Sequence, residues 1–222
     1  MTTRRKFLTT ASIGGAAALA TPAIVQAQST IKWRFQTYAG GALGEHVTKP
    51  VIDYINANSN GELQVELFYA DQIVPTGELF QALQRGTIDG VHSDDDSMAS
   101  PTPLRMFGGY FPFATKHILD VPVLFNQYGL KEIWEEEYAK VGVKWISAAG
   151  QDPCNFNTKT EITSVADLDG LRLYSFPTAG RFLAKFGVVP MNIPYEDAEV
   201  AVQTGELDGM AWSGITEDYT VG

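Results

Sequence analysis

A two-lobed α/β fold, with mostly parallel sheets flanked by helices, is predicted by three features of this 222-residue chain. The phrase Gln-x-Gly-x-(Ile/Leu)-Asp-Gly occurs twice, at 84–90 and 203–209. Each copy follows a helical stretch and precedes a short apolar run, the pattern of a glycine-stopped helix entering a buried strand. Around the first copy, strand-like and helix-like segments alternate, which implies a parallel sheet. Two copies imply two similar lobes, each sending the strand after its Asp-Gly toward a common crevice. Ligands in open α/β sheets bind outside the carboxyl ends of the strands. This puts residues 92–96 on one wall of a ligand cleft and 211–214 on the other.

The first segment lies outside the fold. Arg4, Arg5 and Lys6 precede Phe7 and Leu8, no acidic residue occurs before Glu45, and an apolar stretch covers 11–20. That stretch is too short to span a bilayer, and Val25 and Ala27 frame a small-residue cleavage site. An export signal is expected over 1–27, with the paired arginines of a twin-arginine address.

A strand over 31–35 leaves through a glycine-ended loop at 36–41. A helix over 45–58 places Val47, Val51 and Ile55 on one stripe and stops at Asn60 and Gly61. Leu63, Val65 and Leu67 alternate with polar residues as a half-buried strand. Pro75 opens the first signature helix, with Thr76 as its cap. Three aspartates at 94–96 break the alternation, and 101–114 is a packed irregular connection rich in proline, glycine and aromatic residues. One long helix is predicted over 121–140, with Leu124, Tyr128 and Trp134 inward and the glutamates at 135–137 solvated, followed by a strand over 143–147. The turn-rich stretch 151–155 is the crossing between lobes, which assigns 28–150 to the first and 151–222 to the second. Ser164 and Asp167 have capping-box spacing. A strand over 171–174, a helix over 177–186 begun by Pro177 and ended by Gly187, and a strand over 188–191 follow. Pro194 opens the second signature helix, and 207–212 is the last strand. The chain stops soon after the second signature, with less sheet and helix than a full lobe needs, so a C-terminally truncated fragment with an incomplete second lobe is expected.

Removing the export signal, with Arg4, Arg5 and Lys6, takes the net charge from −10 to −13. An acidic surface argues against nucleic acid and anionic membranes as partners. No later run reaches transmembrane length, so the mature protein is not expected to be membrane-embedded. Cys154 is the only cysteine, which rules out an intrachain disulfide. The histidines at 46, 92 and 117 lack metal-ligand spacing, and neither a phosphate loop nor a Gly-x-Ser-x-Gly elbow occurs. No cofactor, metal or catalysis is therefore expected; a secreted thiol enzyme pairing Cys154 with His92 or His117 is the alternative from the enzyme class.

An exported acidic chain with Leu-Asp-Gly-Leu-Arg at 168–172, Phe-Gly-Val-Val-Pro at 186–190 and the signature at 203–209 resembles the solute receptors of TRAP transporters, nearest the α-keto-acid branch. These are periplasmic binding proteins of the C4-dicarboxylate receptor type. The resemblance implies two lobes closing over a small organic acid in the periplasm, a TRAP membrane permease as partner, and a C-terminal region of strands and long helices. A sensor kinase as partner instead of a permease is the alternative within this class. Three departures from the family pattern bear on the ligand. Tyr174 stands where the family has the arginine that grips the ligand carboxylate; Arg172, on the same strand face, matches an ordinary solvated position. Ala211 stands where metal-using members have a glutamate. The aspartates at 94–96 replace an aromatic or glycine-rich stretch.

The expected ligand-binding residues are Trp212, an apolar plate with one N–H donor at a strand end; Tyr174, a phenol in the arginine's place; Asp94 and Asp95, acceptors for a cation, amine or hydroxyl; Gln151 and Asn155, amide groups at the lobe crossing; and Tyr38, at the mouth of the first strand. A buried carboxylate needs charge compensation. With a phenol replacing arginine, the pocket should favour a ligand less negative than a C4-dicarboxylate.

Overall fold

The computed structural model of the chain describes residues 29–211 and 214, apart from 109, 110, 112, 152, 192 and 194. The expected export signal and Trp212 lie outside the described residues. In the first sheet, β1 (Ile31–Thr37) lies between β2 (Leu63–Phe68) and β3 (Gly90–His92), all parallel, in the order β2-β1-β3. Helices α1 (Gly41–His46) and α2 (Thr48–Asn58) connect β1 to β2, and α3 (Leu79–Gln84) leads into β3. The second sheet has the order β4-β7-β5-β6, formed by β4 (Phe156–Thr158), β5 (Arg172–Ser175), β6 (Val189–Met191) and β7 (Gly209–Ala211). Here β5 is parallel to both β6 and β7, and β4 runs antiparallel to β7. The crossovers are α6 (Pro177–Leu183) and α7 (Tyr195–Thr204). Without β4, the order β6-β5-β7 repeats β2-β1-β3, so the two lobes share a topology.

The signature explains itself in three dimensions. Gly86 and Gly205 follow α3 and α7 with φ of +72° and +86°, values that β-carbon sterics disfavour. Ile88 and Leu207, each 1 % exposed, enter the first and second cores. The closing glycines start β3 and β7, where a Cβ would lie 2.4 Å from the Phe35 ring at Gly90 and 2.4 Å from the Asn157 carbonyl at Gly209. In between, Asp89 Oδ2 accepts the Arg34 N–H at 2.8 Å while its own N–H donates to the Arg34 carbonyl at 2.8 Å. Asp208 does the same for Arg172, at 2.9 and 2.9 Å. Arg172 is therefore engaged with the signature turn, and its guanidinium also binds Asp208.

The first core joins Leu79, Phe80, Ala82 and Ile88 to Met98, Leu104, Trp134 and Tyr138. The second sheet is covered on both faces, as parallel sheets are. Leu173 packs with Leu168, Leu183 and Val188 on one face, and Tyr174 and Phe176 pack with Ala198, Ala201 and Leu207 on the other. Full burial stabilises each such leucine or phenylalanine by roughly 1.5–3 kcal/mol.

Several elements differ from expectation. The single helix over 121–140 is two, α4 (Asp120–Gln127) and α5 (Leu130–Lys140), because Gly129 between them adopts φ +80°. Trp134 is buried as predicted, but Tyr128, next to that break, is 72 % exposed. The helix over 45–58 is likewise broken at Val47, and Thr48 and Ile52 are buried while Val47 and Val51 are exposed. The apolar stripe was one residue out of phase, since Asn56 bonds both the N–H and carbonyl of Val65 and turns that helix face inward. Residues 143–147 form no strand; Val143 and Trp145 pack on the first core from irregular chain. Strand β4 has no alternation in the sequence and forms through its pairing with β7. The capping box at Ser164 is present, with the Asp167 carboxylate accepting the Ser164 N–H at 2.7 Å.

Candidate functional site

In each lobe the chain passes from the central strand to one neighbour and then crosses back to the other side, which creates a switch point at the carboxyl ends of the strands, where ligands of open α/β sheets bind. In the first lobe it lies between β1 and β3, and in the second between β5 and β7. Two contacts bring these ends together. Tyr38, just after β1, packs against both the first and the second core. Asp96, just after β3 and 1 % exposed, accepts the Thr178 N–H of α6 at 2.7 Å and the Arg105 Nε–H at 2.9 Å. The free N–H groups of a helix's first turn suit a carboxylate.

The floor at the first switch point is a polar knot. The Thr37 and Thr48 hydroxyls lie 3.0 and 2.9 Å from His92 Nδ1, and Thr37 Oγ1 accepts the Ala39 N–H at 3.2 Å. Tyr38 meets the His92 ring edge-on, with centroids 5.4 Å apart. Burial pushes the His92 pKa down, which favours a neutral imidazole at pH 7.

The three aspartates after β3 have separate roles. Asp95 is 6 % exposed and turned into the first core; it accepts the Trp134 Nε1–H at 3.1 Å and the Tyr138 hydroxyl. Burial raises the Asp95 pKa, and burial followed by the Asp95 charge raises that of Tyr138. Gly108 is required here, since a Cβ would fall 1.9 Å from Asp95 Oδ2. Asp96 makes the contact between lobes. Asp94 Oδ1 accepts the N–H groups of Asp96 and Ser97 at 2.9 and 2.8 Å, whereas Asp94 Oδ2 and the neighbouring Ser93 Oγ are enclosed and have no hydrogen-bond partner.

Of the predicted site residues, Tyr38 and Asp94 stand at the first switch point. Asn155 stands at the carboxyl end of β7, because the antiparallel register pairs Phe156 with Ala211; its side-chain amide donates to the Pro153 carbonyl at 3.0 Å. Gln151 is half-buried in the stretch before it. Tyr174 is 5 % exposed and packs in the second core with its ring edge toward Phe176. Cys154 is exposed in the same crossing. Asp96, placed by sequence only within the 94–96 triplet, joins the lobes with Arg105 and Thr178, which no motif marks; an arginine nine residues after an aspartate is the signal present. Among the described residues no group of His, Cys, Asp or Glu is arranged to hold a metal, and no helix is long and apolar enough to cross a membrane.

The family described as bacterial extracellular solute-binding protein, family 7, matches residues 40–217. A monocarboxylate 2-oxoacid-binding periplasmic protein of Nostoc sp. is 27 % identical over 233 residues, covering 99 % of this chain and 62 % of that protein. A TRAP periplasmic solute binding protein from Chromohalobacter salexigens, solved with bound (S)-(+)-2-amino-1-propanol, is 70 % identical with a TM-score of 0.84, covering 87 % of this chain and 61 % of that one. Another, from Pseudoalteromonas atlantica with bound sodium and pyruvate, shares the fold at a TM-score of 0.75 and 23 % identity, covering 87 % and 60 %. The chain thus spans about three fifths of the length of these relatives.

Proposed function

The chain belongs to family 7 of the bacterial extracellular solute-binding proteins, and from that premise we propose that it captures a small organic acid, or an amine-bearing relative of one, between its lobes in the periplasm and delivers it to a TRAP-type membrane permease. The observation that carries this is the repeated three-strand topology whose two switch points meet through Tyr38 and the bond from Thr178 to Asp96. Residues 1–27 serve as export signal, 28–150 form the first lobe and 151–222 belong to the second. Tyr38, Asp94, Gln151 and Asn155 line the cleft. Trp212, the residue after β7, supplies the apolar plate. Tyr174 holds up the second wall from within its core, and Asp95 anchors the first wall.

The receptor reading entails capture without chemistry. Calorimetry against a panel of small organic acids, amino acids and amino alcohols should find a solute bound at micromolar affinity or tighter, about −8 kcal/mol. The solute should be recovered unchanged, and deleting the permease should abolish its uptake. Binding of nothing in the panel, or a turnover lost on Cys154→Ala, would overturn the reading.

A further inference from the structure

We propose that the captured solute carries a primary ammonium group and that Asp94, assisted by Ser93, receives it. This rests on the solute-capture reading and names its ligand class. Three carboxylates follow β3, and two are fully committed: Asp95 to Trp134 and Tyr138, Asp96 to Arg105 and Thr178. Asp94 commits only Oδ1. Its Oδ2 and the adjacent Ser93 Oγ are the enclosed oxygens without a partner at this strand end. Buried polar atoms are nearly always paired, so an unpaired pair at a switch point marks where a ligand's donors belong.

The chemistry of the two oxygens selects the donor. One belongs to a carboxylate and the other to a hydroxyl, and Arg105, eleven residues after Asp94, bonds Asp96 instead. An alkylammonium offers three N–H donors and the opposite charge, the combination that forms strong charge-assisted bonds. A calcium ion would ask for six or more oxygens. A bare carboxylate would bring only acceptors to the acceptor Asp94 Oδ2. Burial pushes the Asp94 pKa up, against the Ser97 hydroxyl and the N–H groups of Ser97 and Asp96, and a bound cation would draw it back down. The solute held by the 70 %-identical receptor, an amino alcohol, has one ammonium, one hydroxyl and no carboxylate.

The test is calorimetry on the chain with three probes: (S)-2-amino-1-propanol, 1,2-propanediol and pyruvate. The amine should bind, and the diol, which replaces the ammonium with a hydroxyl, should bind at least about 100-fold more weakly, equivalent to two factors of 1.4 kcal/mol. Asp94→Asn keeps the Oδ1 acceptor and should weaken the amine by a similar factor; Ser93→Ala should weaken it about tenfold. Diol binding within threefold of the amine, or amine binding unchanged in Asp94→Asn, overturns the proposal. If Asp94→Asn does not fold, the amine-to-diol ratio of the unaltered chain and the Ser93→Ala variant decide. Pyruvate bound in preference to the amine overturns the ammonium assignment and leaves solute capture standing. Binding of neither these probes nor the wider panel overturns both.

Discussion

The two copies of the signature perform one backbone task with two different side-chain arrangements. In both, an aspartate exchanges hydrogen bonds with the backbone of an arginine one strand away. In both, that arginine's guanidinium reaches the carbonyl of the turn glycine, Gly86 at 2.9 Å and Gly205 at 3.1 Å. The ion pair differs. Arg172 grips Asp208 through two bonds of 3.0 and 2.8 Å, whereas Arg34 Nε stays 3.7 Å from Asp89. The shared part is what the turn requires: a strand N–H satisfied at the sheet's entrance and a helix-end carbonyl covered. The ion pair is hydrogen-bonded in one lobe and looser, without a side-chain hydrogen bond, in the other. A side-chain pair at a surface contributes little, while an unsatisfied backbone group costs more.

Substitutions made in parallel would test that comparison. The largest effect should come from Ile88→Ala and Leu207→Ala, each removing a buried anchor at about 2–5 kcal/mol in urea unfolding. The two should agree to within about 1 kcal/mol if the lobes use the position alike. Gly86→Ala and Gly205→Ala should each cost about 1–2 kcal/mol from left-handed strain alone, because nothing lies within 4 Å of the added carbon at Gly86 and only the Lys159 ammonium lies near it at Gly205. A much larger loss at either would mean that the turn carries more than backbone conformation.

Asp89→Asn and Asp208→Asn keep an acceptor for the arginine N–H but remove the charge. Both should shift the urea midpoint only slightly, and Asp208→Asn more than Asp89→Asn. Equal shifts would show that the tighter geometry at Arg172 adds no stability.

The smallest effect is a pH dependence. The Arg172 guanidinium, then the Arg172 backbone N–H, hold the Asp208 carboxyl at about 2. A group with a depressed folded pKa stabilises the fold above its unfolded value, near 4 for aspartate, and that stability is lost as pH falls toward 2. Comparing urea midpoints at pH 5 and pH 3 in low salt, Asp208→Asn should lose less than the unaltered chain. An identical loss would place the acid sensitivity in other carboxylates.

The parts of the fold legible in the sequence were those fixed within a few residues. The signature turns, the capping box at Ser164 and the glycine stop at Gly187 are local devices, and their residues carry them. The parts that were not legible depend on distant partners. Strand β4 has three residues and exists because β7 lies beside it. The phase of α2 is set by Asn56 reaching across to Val65. The glycine at 129 was present to be read, but helical periodicity on both sides masked the break. At the site, the aspartate triplet was visible as a wall, but its division into a core anchor, a lobe contact and an open acceptor follows from what Trp134, Tyr138, Arg105 and Thr178 present to it.

The hydrogen bond between lobes is also lopsided in what it asks of each side. The first lobe contributes a side chain, Asp96; the second contributes only a main-chain N–H, that of Thr178. Every residue except proline carries that group. A non-proline substitution at position 178 therefore keeps this donor, while position 96 has to keep an acceptor. This hydrogen bond therefore makes its side-chain demand on the first lobe alone, beside the packing of Tyr38 on the second core.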